Sequence, residues 1–346
     1  MKSLFEVLQK NKKKLVLTAG ASLLILAIVW WRTGSISPKK IVQVGQETID
    51  QTTNLFGGEF KINESKFSVD PAKLRSGGPP KDGIPAIDDP KFVTPKEASF
   101  LAPDDIVFGI VHNGEARAYP AKILVWHEIV NDTVAGDPIL VTYCPLCLTA
   151  IAFERKIDGI ETTFGTSGKL YNSNLVMYNR INDQIKTENF WTQLGGEAIV
   201  GDLTGRKLKQ ITIDTVKWSD WLKKHPQSLV LSTDTGFARN YGVDPYGDYY
   251  TTPGLIAPVE NQDDRLFEKA VVFGITINDK AKAYSEEALK RNPAFEDRFA
   301  GKTLEVSRNE DGSVRVIDKS TKEEIPTTIS FWFSWVAFYP ETELAK

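Results

Sequence analysis

The 346-residue chain has two cysteines, and both fall in one run, Cys144-Pro145-Leu146-Cys147. Three kinds of chemistry suit such a pair. A dithiol can close to a disulfide and reopen, one cysteine attacking as thiolate and the other resolving the intermediate. Two thiolates can hold a soft metal ion. A permanent disulfide can clip the loop, although closing so short a loop contributes only about 2 kcal/mol on a chain-entropy basis. The Pro145-Leu146 pair is apolar and brings no cation, so a lowered thiol pKa requires a partner from elsewhere in the chain.

Among the histidines, His127 stands best, 17 positions before Cys144 in Trp126-His127-Glu128. It is read as a proton acceptor for a redox pair, or as a third ligand beside Cys144 and Cys147. Closed zinc sites need four ligands. No second Cys-x-x-Cys and no His-x-x-x-His spacing is present to supply them, so copper is favoured for the metal reading, with Met177 as a further soft donor. His112, beside a predicted turn, and His225, before Pro226, read as surface or structural residues. No other cofactor is indicated.

Further polar residues are candidates for a cleft. They are Ser167, Asn172 and Asn174, then Trp191 and Gln193, then Arg239, Tyr241, Asp244 and Tyr246 in a tyrosine-rich stretch. Turn chemistry and core packing account for the same residues about as well. The glycine spacing around Ser167 fits neither a phosphate loop nor a nucleophile elbow.

The cysteine run follows an apolar predicted strand at 139–143. It precedes another predicted strand at 148–155, an Asp158-Gly159 turn and a strand at 160–164. No helix follows the motif, so the setting of a thioredoxin fold is missing. Residues 106–119 predict a hairpin about Asn113-Gly114, and residues 271–284 match them without a gap, 165 residues on (106 to 271). A short helix is expected after each, at 120–126 and 285–290. Strands follow at 138–143 and 149–155, beside 303–306 and 313–318. The repeated order suggests two related halves, 100–200 and 265–340, with cysteines in the first alone. Trp218, Trp221 and Leu222 have the spacing of an amphipathic helix. The nearly all-apolar run 329–338 reads as a buried strand. The expected class is α+β, mainly antiparallel β with short helices.

Residues 15–31 carry no charge, follow Lys12-Lys13-Lys14 and end in Trp30-Trp31-Arg32. Such a run is at the short end for a membrane helix, with a basic cytoplasmic flank and an interfacial aromatic pair. A cleaved signal peptide ends in small residues, which this run lacks. The expected organisation is a cytoplasmic basic tail (1–14), a signal anchor (15–31), a stalk and irregular loop segment (32–91) and an extracytoplasmic body (92–345). The chain would then be a single-pass protein of the cell membrane, with its thiols on the oxidising side and a redox partner protein among its expected partners. Residues 1–40 hold eight Lys or Arg against Glu6 alone, so a formal total of -3 leaves -10 on the rest. An acidic body argues against a nucleic-acid partner. At 41% hydrophobic residues, the chain is too apolar to be disordered.

Several stretches in order are familiar together: Cys144-Pro-Leu-Cys147, Phe164-Gly-Thr-Ser-Gly168, Asn172-Ser-Asn-Leu-Val-Met-Tyr178, Trp191-Thr-Gln193, Trp218-x-x-Trp221 with His225-Pro226, Asp244-Pro-Tyr-Gly-Asp-Tyr249 and the run 331–340. The chain resembles, over roughly residues 90–345, the uncharacterised prokaryotic family called domain of unknown function 3179. The resemblance implies an extracytoplasmic or membrane-anchored protein with a Cys-Pro-Leu-Cys centre, and it names no reaction. The leading expectation is thiol–disulfide or related redox chemistry at Cys144 and Cys147. The alternatives are a copper-binding module using the same pair with His127, and a glycan- or peptide-binding protein in which the motif is a structural clip.

Overall fold

The computed structural model describes residues 58–345 and the strand Val42–Gln43. The segment expected to anchor the chain, 15–31, lies outside the described residues. Among those described, no helix is long and apolar enough to cross a membrane.

Asn113 and Gly114 both take positive φ, 48° and 84°. This two-residue turn matches the twist of a hairpin, and Ile106–His112 pairs with Glu115–Pro120 around it. Asn278 and Asp279, at 49° and 60°, turn the chain in the same way between Val271–Ile277 and Lys280–Ser285. The registers are equivalent: Gly109 faces Ala118, and Gly274 faces Ala283. Short helices come next, Ala121–Leu124 and Glu286–Arg291, the latter capped by the Ser285 hydroxyl accepting from the Ala288 N–H. Polar anchors repeat at the same spacing. Arg117 and Tyr119 donate to Asp132 at 2.6 and 2.5 Å, while Lys282 and Tyr284 donate to Asp297 at 2.9 and 2.8 Å.

The likeness continues at a second spacing of 114 residues (221 to 335). Asp214–Lys217 runs antiparallel to the first hairpin and leads into the helix Trp218–Lys224. Thr328–Phe331 runs antiparallel to the second and leads into Trp332–Phe338. Trp221 Nε1 donates to Ser228 Oγ at 2.8 Å, and Trp335 Nε1 donates to Thr342 Oγ1 at 2.9 Å. Both indole rings lie directly on a hairpin glycine. A Cβ at Gly109 would sit 2.2 Å from the Trp221 ring, and one at Gly274 the same distance from Trp335. The run 329–338 is thus corrected from one strand to a strand and a helix. The helix is buried on nearly all sides, so its sequence carries no amphipathic period to separate it from a strand.

Antiparallel pairing dominates, in keeping with an α+β class that is mainly β. Two parallel contacts between strands fall at equivalent places, Leu229–Leu231 beside Glu115–Pro120 and Glu343–Ala345 beside Lys280–Ser285. Each half adds a meander. In the first it is Ile129–Val134, Asp137–Cys144 and Thr149–Glu154, joined by Gln210–Ile211; in the second it is Ala294–Phe299, Lys302–Arg308 and Val314–Asp318. Beyond the meander the halves differ. The first carries extra strands, Phe164–Tyr171, Asn174–Asn179, Phe190–Thr192 and Ala198–Val200, which build a seven-stranded sheet. Arg75–Ser76 and Lys66–Phe67 also join that sheet, and Phe60 is buried against Val176 and Phe190. Residues 58–91, expected in the stalk and loop segment, therefore pack on the body. Residues 232–270 contain no helix or strand and run as one long irregular strap between the halves.

Candidate functional site

Seven of the eight residues of the strand Asp137–Cys144 are buried, and it delivers Cys144 into the core. Pro145–Cys147 makes one tight 3-10 turn. Leu148 then takes φ 56°, a left-handed conformation uncommon outside glycine, and the chain returns as Thr149–Glu154. The equivalent turn of the second half is an ordinary Asn309–Ser313 turn, closed by the Asn309 N–H donating to the Ser313 carbonyl at 2.8 Å.

The turn folds the two thiols onto each other. Cys144 Sγ lies 3.1 Å from Cys147 Sγ, and both cysteines are free and buried, at 1% and 0% exposure. Asn174 Nδ2 donates to Cys147 Sγ at 3.4 Å and to Gln193 Oε1 at 2.9 Å. Gln193 Nε2 in turn donates to Thr142 Oγ1 at 3.0 Å. The Ser173 carbonyl lies 3.2 Å from Cys147 Sγ. From the second half comes Ser334, on the helix Trp332–Phe338, whose hydroxyl favours the Cys147 thiolate. The Ser334 and Ser173 hydroxyls are both buried without a hydrogen-bond partner among the described residues, a condition that costs about 1–3 kcal/mol each.

These contacts separate the two thiols. Burial pushes the Cys144 thiol well up, and the neighbouring Cys147 adds to it. Burial also raises Cys147, but hydrogen bonds from the Cys144 thiol and Asn174, with the nearby Ser334 hydroxyl, outweigh it and hold Cys147 below the usual thiol value. The Ser173 carbonyl opposes this, since it favours the protonated thiol. Two hydrogen-bond donors and a neighbouring hydroxyl against one acceptor leave Cys147 the more acidic sulfur.

The carboxyl beside the pair is Glu128. It is 7% exposed, and burial together with the charge of Cys144 raises its pKa well above the usual carboxylate range. Its charge is also felt at Cys147. Glu128 takes φ 59°, so non-glycine left-handed residues lie on both sides of the dithiol, at 128 and 148. Three tyrosines of the strap and strand stand near Cys144: Tyr143, Tyr246 and Tyr249. Tyr249 donates to the Leu146 carbonyl at 2.9 Å. Lys269 holds the strap below by donating to the Tyr249 and Thr252 carbonyls, each at 2.6 Å.

Of the residues singled out in the sequence, Cys144, Cys147, Asn174 and Gln193 meet in one network. His127 does not join it. Its Nδ1 pairs with the Pro85 carbonyl at 2.8 Å and its Nε2 with Tyr241 Oη at 2.7 Å. Burial lowers its pKa, and Arg239 adds to this. Ser167 donates to the Val176 carbonyl at 2.5 Å. Asn172 donates to Ala337 at 3.1 Å and accepts from the Glu260 N–H at 2.9 Å, tying hairpin, helix and strap together. Trp191 is core, its Nε1 donating to Asn179 Oδ1 at 3.0 Å. Asp244 accepts from Tyr250 Oη at 3.1 Å, Tyr246 is half-buried beside Cys144, and Arg239 is exposed. Among the described residues, no group of three His, Cys, Asp or Glu is placed to hold a metal. The ligand set Cys144, Cys147 and His127 is therefore not assembled. Thiolates sharing a tetrahedral ion at bonds of about 2.3 Å sit roughly 3.8 Å apart, wider than the 3.1 Å found here.

Glu128, Ser173, Ser334 and Tyr249 were missed as site residues. Glu128 is next to His127 in the sequence, but spacing alone does not say which of two adjacent side chains turns toward the thiols. Ser334 and Tyr249 come from remote segments, and no local signal marks them.

No curated protein and no solved structure matches the chain. The family described as Protein of unknown function (DUF3179) matches residues 81–342. The match takes in the dithiol turn, the hairpin bearing Asn174, the strap and the helix bearing Ser334. On that extent, the chain belongs to this DUF3179 family of proteins of unknown function.

Proposed function

We propose that Cys144 and Cys147 form a two-electron dithiol–disulfide couple, carried by a membrane-anchored protein whose body lies outside the cytoplasm. The observation that carries this reading is the unequal pair: two sulfurs 3.1 Å apart on one turn, with hydrogen-bond donors gathered on Cys147. Cys147 is the thiolate and Cys144 the resolving thiol. The placement of the body rests on the uncharged run 15–31 and its basic flank.

The couple is tested on the full chain in mild detergent, equilibrated across glutathione and dithiothreitol redox buffers, with thiols counted by intact mass after alkylation. The expected result is a reversible loss of both thiols together, abolished in Cys144→Ser and in Cys147→Ser. A pair that stays oxidised below about -300 mV supports a structural clip instead. A pair that never oxidises also overturns the proposal.

A further inference from the structure

We infer that the oxidant of this dithiol is a small hydroperoxide, received in the buried polar niche formed by Cys147, Asn174, Ser173 and Ser334. The inference rests on the dithiol reading above and adds the class of its substrate.

Access comes first. Both sulfurs are covered, and the strap is fastened to the Leu146 carbonyl by Tyr249. Such a cover hinders a protein disulfide far more than a molecule of a few atoms. A cleft of about 940 Å³ opens nearby, lined by Leu255, Val259, Arg265, Glu268 and Phe333 among others. Leu255, Val259 and Phe333 belong to the apolar cluster that also holds both cysteines, and Phe333 directly precedes Ser334 in the last helix. The equivalent groove of the first half, at Leu101, Pro103 and Ser219, holds about 360 Å³. Its positions map to Leu266, Glu268 and Phe333 at the spacings of 165 and 114 (101 to 266, 219 to 333). The groove is larger in the copy whose helix carries Ser334.

Polarity comes second. Ser334 is fully buried, its hydroxyl favours the Cys147 thiolate, and it has no hydrogen-bond partner among the described residues. Ser173, whose carbonyl touches Cys147, carries a second such hydroxyl. Buried polar atoms are ordinarily paired. A peroxide offers two adjacent oxygens that accept from these hydroxyls, beside the sulfur that Asn174 Nδ2 holds.

The chemistry balances with the dithiol, the peroxide and water. The Cys147 thiolate attacks one peroxide oxygen; the S–O bond forms and the O–O bond breaks. The departing hydroxide or alkoxide takes a proton from water and leaves as water or alcohol. The Cys144 thiol then attacks the Cys147 sulfenic acid; the S–S bond forms, the S–O bond breaks, and water leaves with the thiol proton. Two electrons pass from the two sulfurs to the peroxide.

The test uses the reduced full chain in detergent, mixed with hydrogen peroxide at pH 7, with disulfide formation followed by intact mass. The expected rate is at least about 100-fold above that of free cysteine in the same buffer. In Cys144→Ser, dimedone should trap a sulfenic acid at Cys147. Ser334→Ala should slow the peroxide step about 10-fold, as loss of one hydrogen bond to a charged group would; a variant that reacts at the parental rate would remove Ser334 from the niche. A rate equal to that of free cysteine, or first oxidation at Cys144, overturns the peroxide inference and leaves the couple standing if redox buffers still oxidise the pair. Failure to form a disulfide under either condition overturns both.

Discussion

Tyr249 donates its phenolic hydrogen to the Leu146 carbonyl at 2.9 Å. One hydrogen bond thus joins the irregular strap 232–270 to the middle of the cysteine turn. Loops of this length without regular structure are uncommon in compact domains, and functional lids are among the usual exceptions. Lys269 holds the same tyrosine from below, its Nζ 3.7 Å from the ring centroid.

Tyr249→Phe removes the donor and leaves a buried carbonyl unpaired. The expected cost is about 1–2 kcal/mol, read as a lower urea midpoint with unchanged slope. Alkylation of the reduced thiols by iodoacetamide should accelerate several-fold, because local opening of the strap exposes them. A variant destabilised to this extent but alkylated at the parental rate would show that the strap does not control access.

Glu128 makes stability depend on pH with a definite sign. Its carboxyl is raised by burial and by Cys144, so the folded chain holds the proton more tightly than the unfolded chain. The stability from the protonated form is complete below the unfolded value of about 4.3. It is lost as pH rises through the raised folded value. Urea midpoints of the reduced protein at pH 5 and pH 8 should therefore fall further in the parent than in Glu128→Gln. Parallel falls would mean that Glu128 carries no such penalty.

The two tryptophan–glycine contacts make a paired prediction. A methyl group at Gly109 or Gly274 would sit 2.2 Å from an indole ring that is itself held by a hydrogen bond. Neither ring can give way cheaply, so Gly109→Ala and Gly274→Ala should each cost about 3 kcal/mol or more. The check is chemical denaturation of both variants. Similar losses are expected because the surroundings are equivalent, and a tolerated alanine at either site would show that its half packs differently.

Much of the architecture was legible in the sequence. Asn113-Gly114 and Asn278-Asp279 announced both hairpins, since left-handed turn residues between apolar runs leave the chain few alternatives. The strands flanking Cys144 and Cys147 were legible for a similar reason. The helix at Trp332 was not, because a helix buried all round loses the polar face that marks its period. Its counterpart at Trp218 keeps the exposed Ser219, Lys223 and Lys224, and there the helix was found.

At the site the division is sharper. The sequence by itself determined that the thiols share one turn after an apolar strand, since four consecutive residues allow little else. Only the tertiary structure decided which sulfur is favoured as thiolate, which carboxyl stands beside the pair, and that His127 is engaged with Pro85 and Tyr241. Those outcomes depend on burial and on polar groups from three distant segments: Glu128 before the strand, Asn174 on the inserted hairpin and Ser334 on the last helix. Desolvation and hydrogen bonding act over a few ångströms of space, whatever the distance along the chain.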